Sequence, residues 1–219
     1  MKKIILLLSI SISSLSAFAQ SEKYTKVMEE KVTAFDTTRS VPGLKELANT
    51  FERIANAEKT QWLPYYYAAL ANVNMGFMSG MGNNGGNAAA TTDPIADKAE
   101  ELVNKAEALS KDNSEIFVVK KMIASLRMMA DPMNRYMTYG PVAQQALETA
   151  KKLNPANPRV YLLEGQDKFY TPEQFGGSKT EAKKLFEETI VKVDAFKPES
   201  SIHPHWGKSV AQYFLAQIK

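Results

Sequence analysis

The 219-residue chain has no cysteine. That excludes disulfides, thiolate metal sites, a Cys nucleophile and the lipid-bearing Cys of a lipoprotein, so packing alone must hold the fold. Histidine is nearly absent, with only His203 and His205. Net charge is small: 27 basic and 24 acidic residues give +3. A chain so balanced is a poor electrostatic match for DNA or RNA. It has no G-x-x-x-x-G-K-[ST], G-x-S-x-G, H-E-x-x-H or S-x-x-K motif, since Gly207-Lys208-Ser209 has Ile202 where the first glycine would stand, so P-loop, hydrolase and zincin chemistry lack their residues. No apolar run is long enough to cross a bilayer as a helix.

The N-terminus is ordered as an export signal. Lys2 and Lys3 precede an apolar run, Ile4 to Ile12, and Ser13 to Ser16 leads into Ala17-Phe18-Ala19. Basic, apolar and small-residue regions in that order make a secretory signal peptide over residues 1–19, with cleavage expected between Ala19 and Gln20. The remaining chain, residues 20–219, is 219 − 19 = 200 residues with 27 − 2 = 25 basic and 24 acidic groups. It is expected to be one domain in the periplasm or outside the cell, without a membrane anchor.

Apolar residues recur at helical spacing almost throughout. The expected helices are carried by Tyr24 to Phe35, Leu44 to Ala55, Trp62 to Phe77, Ala96 to Leu109, Ile116 to Met129, Val142 to Leu153, Val160 to Phe169, Ala182 to Val193 and Trp206 to Ile218, the last beginning at Pro204. Asp93-Pro94 reads as the fourth helix's start signal. No two-residue alternation marks a strand. A constant shift also runs through the chain. Ala99, Val103, Ala106, Leu109, Asn113, Ile116 and Phe117 fall on Ala143, Leu147, Ala150, Leu153, Asn157, Val160 and Tyr161, each 143 − 99 = 44 positions on. A fixed period in this range is the mark of a helical repeat array. Gly165, placed inside a helix, costs about 1 kcal/mol against Ala, which points to a packing reason for it.

The run Ala143-x-x-x-Leu147-x-x-Ala150, Asn154-Pro155-x-Asn157, Tyr161 and Gly165 resembles a tetratricopeptide repeat. Ala99-Val103-Ala106 has Lys111 in place of the Pro and Lys121 in place of the Gly, and Ala182-Phe186-Thr189 has Asp194 in place of the Pro. The resemblance implies an all-α, right-handed α-solenoid of antiparallel hairpins: first helix with second, third with fourth, fifth with sixth, seventh with eighth, and a ninth as cap. It also implies a non-enzymatic interaction or scaffold protein of the bacterial envelope that binds a protein or peptide. A small-ligand-binding protein, with a cavity among Trp62, Tyr66, Tyr170 and the loops, is the alternative.

The extra repeat length is expected in three loops within hairpins, Ser79–Thr92, Ala130–Gly140 and Thr171–Ser178, gathered along one edge. Arg135, Tyr136, Tyr139, Tyr170 and Phe175 lie in or beside them. Aromatics and Arg are favoured contact residues, so these five are the candidate partner-binding set. The same aromatics would equally serve to cover the ends of helix pairs. Gly80 to Gly85 matches G-x-G-x-x-G but follows a helix instead of a strand, so it reads as a loop. His203 and His205 flank Pro204, a spacing without the i, i+4 relation of a helical metal pair. Glu164 and Asp167, with Arg159 and Lys168 on the same helix, read as surface ion pairs. No catalytic residue, metal site or cofactor is assigned.

Overall fold

The computed structural model describes residues 22–81 and 88–218. The leader expected at residues 1–19 and its expected cleavage point lie outside that range. The described residues form nine α-helices and no strand: α1 over residues 22–37, α2 Val41–Ala57, α3 Trp62–Met81, α4 Ala88–Leu109, α5 Ser114–Met129, α6 Pro132–Leu153, α7 Pro158–Tyr170, α8 Lys179–Ala195 and α9 Lys208–Gln217. Helices α3 and α4, α5 and α6, and α7 and α8 pack as hairpins, and α3, α5 and α7 stack in sequence. The chain is thus a stack of antiparallel helix pairs.

The boundaries follow local chemistry. Asn113 and Asn157, one repeat shift apart, both cap helices, accepting from Glu115 N and Arg159 N at 2.9 and 3.0 Å. Ser40 caps α2 and Ser178 caps α8 in the same manner. The repeat also appears as an ion pair between successive hairpins. Glu107–Lys120 closes one hairpin joint at 2.6 Å, and Lys151–Glu164 closes the next at 2.9 Å. The shift 151 − 107 = 164 − 120 = 44 joins equivalent positions with the charges exchanged.

Two of the three expected loops are mostly helix. Asp131 caps α6 with Pro132 in its first turn, so the stretch expected as a loop becomes the first half of a 22-residue helix. Likewise α4 begins at Ala88, five residues before Asp93, and Pro94 and Pro141 sit inside helices. Among the described residues the extra repeat length therefore lengthens helices and only the third stretch remains a loop, while most of Gly80–Gly85 lies outside the described residues. It holds a 3-10 turn, Glu173–Phe175. At its end a Cβ on Gly177 would overlap the Thr171 carbonyl, so only glycine fits that close approach.

The array does not end with a simple cap. After α8 the chain runs as a non-helical strap, residues 196–207, with a turn at Ser200–His203, over α1, α3 and α7. Its Ile202 is buried in the large core that spans α1 to α7. Ser201 bonds Glu29 of α1, and Trp62 packs edge-on against His203. The strap ends at Gly207, whose φ of 124° lies in a region that L side chains rarely adopt. Only then does α9 begin, at Lys208 and not at Pro204. It packs back on α7 and α8 through Phe214, stacked on Phe186 at 5.0 Å and edge-on to Phe169 at 5.2 Å.

Candidate functional site

A buried polar network ties the strap to the stack. Glu115, in the first turn of α5, receives Asn157 Nδ2 at 2.7 Å and Arg159 Nε at 2.8 Å on Oε1, and the Tyr66 hydroxyl at 3.1 Å on Oε2. Arg159 has no solvent exposure. Its Nη1 donates to the Trp206 carbonyl at 3.2 Å, and its guanidinium lies over the rings of Phe196 and Trp206 at 4.8 and 5.8 Å. Trp206 Nε1 donates in turn to the Tyr66 hydroxyl at 2.9 Å. Burial, with the Glu115 carboxylate beside it, pushes the Tyr66 phenol well up, so it remains a neutral donor. This corrects the reading of Arg159 as a surface ion-pair residue. On the same helix Glu164 pairs with Lys151, and Asp167 with Lys121.

The network sets one wall of a cleft of about 520 Å³ between the α1–α2 turn, the C-terminal half of α3 and the strap. That is within the usual size range of small-molecule sites. Phe35, Leu44, Phe77, Met78, Trp206 and Val210 supply apolar surface, and Asp36, Arg39, Asn74, His205 and Lys208 supply polar groups. Arg39 donates to the Thr38 carbonyl and forms no ion pair among the described residues. Lys208 reaches Asp194 at 2.5 Å. The N-terminus of α9 has no side-chain cap.

His205 stands with its ring between two acceptors. Nδ1 must carry a proton to donate to the His203 carbonyl at 2.9 Å, because a carbonyl only accepts. Nε2 is 3.1 Å from Asp36 Oδ2. The bond from Asp36 raises His205 above the ordinary imidazole range, against partial burial. His203 is lowered by burial, although Glu199 lies 3.2 Å away. The two imidazoles thus have separate partners. No cluster of three or more metal-ligating side chains occurs among the described residues.

The residues singled out from sequence are not brought to one place. Arg135 grips Asp93 of α4 with two bonds, at 2.7 and 2.8 Å. Tyr136 is exposed and lies over Gly140 on α6. Tyr139 lines a shallow depression between α4, α5 and α6. Tyr170 is exposed but packs edge-on against Phe169 and Phe214 at the other end of the stack, and Phe175 is exposed in the 3-10 turn. The cavity expected among Trp62, Tyr66 and Tyr170 is absent. Trp62 and Tyr66 pack together beneath the strap, while Tyr170 belongs to the α9 cluster. Glu115, Arg159 and Arg39 carried no distinctive motif. One signal did exist: 159 − 115 = 44, so Glu115 and Arg159 occupy equivalent repeat positions with opposite charge.

No protein-family profile matches the chain, and no curated protein is matched. Among solved structures, the chain is similar to the HusA haemophore from Porphyromonas gingivalis, with 35% sequence identity and a TM-score of 0.77. The match covers 90% of this chain and 92% of the other. Identity of that extent over nearly the whole of both chains places this protein in the family of the HusA haemophore.

Proposed function

We propose that this is an exported, non-enzymatic carrier of haem or a related tetrapyrrole, held in the cleft between α1, α3 and the strap. The cleft's composition carries this reading, in a relative of a haemophore. A tetrapyrrole offers two large apolar faces and two carboxylates. Phe35, Phe77 and Trp206 suit the faces. Arg39 and the uncapped start of α9 suit the carboxylates. Export rests on the leader pattern in residues 1–19 and on the relative's kind. Titration of the purified protein with ferric haem should give saturable one-to-one binding and quench tryptophan fluorescence. Arg39→Glu should weaken it about tenfold, equivalent to about 1.4 kcal/mol. Linear, unsaturable uptake of haem would refute the reading.

A second contact surface is favoured by one observation. Met133 and Met137 on α6 are 94% and 81% exposed, beside exposed Tyr136 and Val142. Large apolar side chains so bare mark contact surfaces. We assign this face, with Tyr136 and Tyr139, to a protein or peptide partner of the envelope; Arg135, held by Asp93, borders it, and Tyr170 and Phe175 lie apart from it at the α9 end. The repeat is read as tetratricopeptide-like, and that family commonly uses such faces. Met133→Glu with Met137→Glu should leave melting and haem affinity unchanged and abolish partner capture. A melt lowered by several degrees would assign the face to stability instead.

A further inference from the structure

We propose that the His205 imidazolium is a pH-sensitive latch that holds the strap to α1, closed while both ring nitrogens carry protons and open once one proton is lost. Nδ1 lies 2.9 Å from the His203 carbonyl, and Nε2 lies 3.1 Å from Asp36 Oδ2. A carbonyl and a carboxylate oxygen only accept. A neutral imidazole has one N–H and serves only one of them, whereas the imidazolium serves both. The Asp36 bond joins residues 169 positions apart, so it ties the strap to the first helix of the array. Ser201 bonds Glu29 on the same helix.

The groups around the ring leave the change of charge to His205. Asp36 and Glu29 stand on α1, Arg39 on the α1–α2 turn, and Tyr66 and Tyr67 on α3. Glu115 of α5 is paired with Arg159 of α7, and Lys208 of α9 with Asp194 of α8. His203 and Glu199 lie on the strap itself. Burial pushes both phenols well up, and burial beneath Trp62 lowers His203. Histidine is the side chain whose ordinary titration falls between about pH 5 and 8. The bond to Asp36 raises His205, against partial burial and the Arg159 charge. The latch is therefore whole below the ordinary imidazole value of about 6.5 and is lost as pH rises through the higher value of the folded protein. The other side of the strap stays pinned, because Tyr66 and Arg159 hold Trp206. Release thus frees the α1 side.

An NMR pH titration of the ligand-free protein tests the latch independently of the haem reading. The His205 ring signals should show a midpoint above about 6.5, and those of His203 a midpoint below it. The His203 amide donates to the Ser200 carbonyl within the strap. Its exchange protection, corrected for the intrinsic rate, should fall across the His205 midpoint, while amides of α7 keep theirs. Each unit by which that midpoint is raised corresponds to about a tenfold loss of protection. Asp36→Asn keeps the shape of the partner without its charge. It should return the His205 midpoint toward the ordinary value and remove the step. A wild-type His205 midpoint at or below about 6.5 would overturn the latch. A raised midpoint with equal strap protection on both sides of it would do the same. Both results are read on wild type, so the test stands whether or not the variant folds.

Discussion

Glu115→Ala is expected to destabilise the protein by about 3–5 kcal/mol, the usual cost of leaving one member of a buried ion pair alone. The substitution removes the acceptor for Arg159 Nε, Asn157 Nδ2 and the Tyr66 hydroxyl at once. Arg159 cannot reach water, since it has no exposed surface and Phe196 and Trp206 cover it. Removing both charges is a different experiment. Glu115→Leu with Arg159→Leu should recover much of the loss, because well-packed apolar side chains replace a buried pair at little or no cost. Denaturant unfolding of the two single variants and the double variant gives the coupling energy. A loss below about 1 kcal/mol for Glu115→Ala would contradict the role given to this pair. Arg159 also holds the strap by the Trp206 carbonyl, so its single variant should weaken ligand binding as well as lower the melt.

Gly165→Leu is the second large effect, about 3 kcal/mol or more. A Cβ at Gly165 would lie 2.7 Å from Phe186 Cε1 and 2.9 Å from Cδ1. Replacing glycine within a helix gains up to about 1 kcal/mol in propensity, so the sign depends on whether the ring can move. Phe186 is fully buried and stacked on Phe214, which is fixed by Phe169 and Tyr170. The ring has nowhere to go, and over-packing a core costs about 1–3 kcal/mol before the rest of the leucine is placed. The expected result is a clearly lower melt with α9 undocked from α7 and α8. Shrinking the obstacle should rescue it: Phe186→Leu in the Gly165→Leu background should be more stable than Gly165→Leu alone. Equal melting of wild type and Gly165→Leu would show that the contact is slack.

Much of the fold was legible in the chain because its signals are local. All nine expected helices are present, and the 44-residue shift reappears as paired Asn caps and charge-exchanged bridges between hairpins. The packing role expected for Gly165 has Phe186 as its partner. The misplaced loops have a local cause too. Asp131-Pro132 is a helix start that was absorbed into a presumed turn, and the polar, proline-bearing first half of α6 shows little apolar periodicity.

The candidate site was less legible, and the reason is range. Helix periodicity, caps and the repeat shift act between residues close in sequence or one repeat apart, so composition and spacing alone determined the helices and the pairing of α3 with α4, α5 with α6 and α7 with α8. The strap obeys no period. Its bonds join Trp206 to Tyr66 across 140 positions, His205 to Asp36 across 169 and Ser201 to Glu29 across 172. Nothing local encodes such partners. They exist because the helix stack by itself leaves Trp62, Tyr66 and the charged Arg159 to be covered, and residues 196–207 are the segment that covers them. Tertiary structure alone thus turned two isolated histidines into one strap anchor and one cleft residue, and made a cleft from segments far apart in the chain.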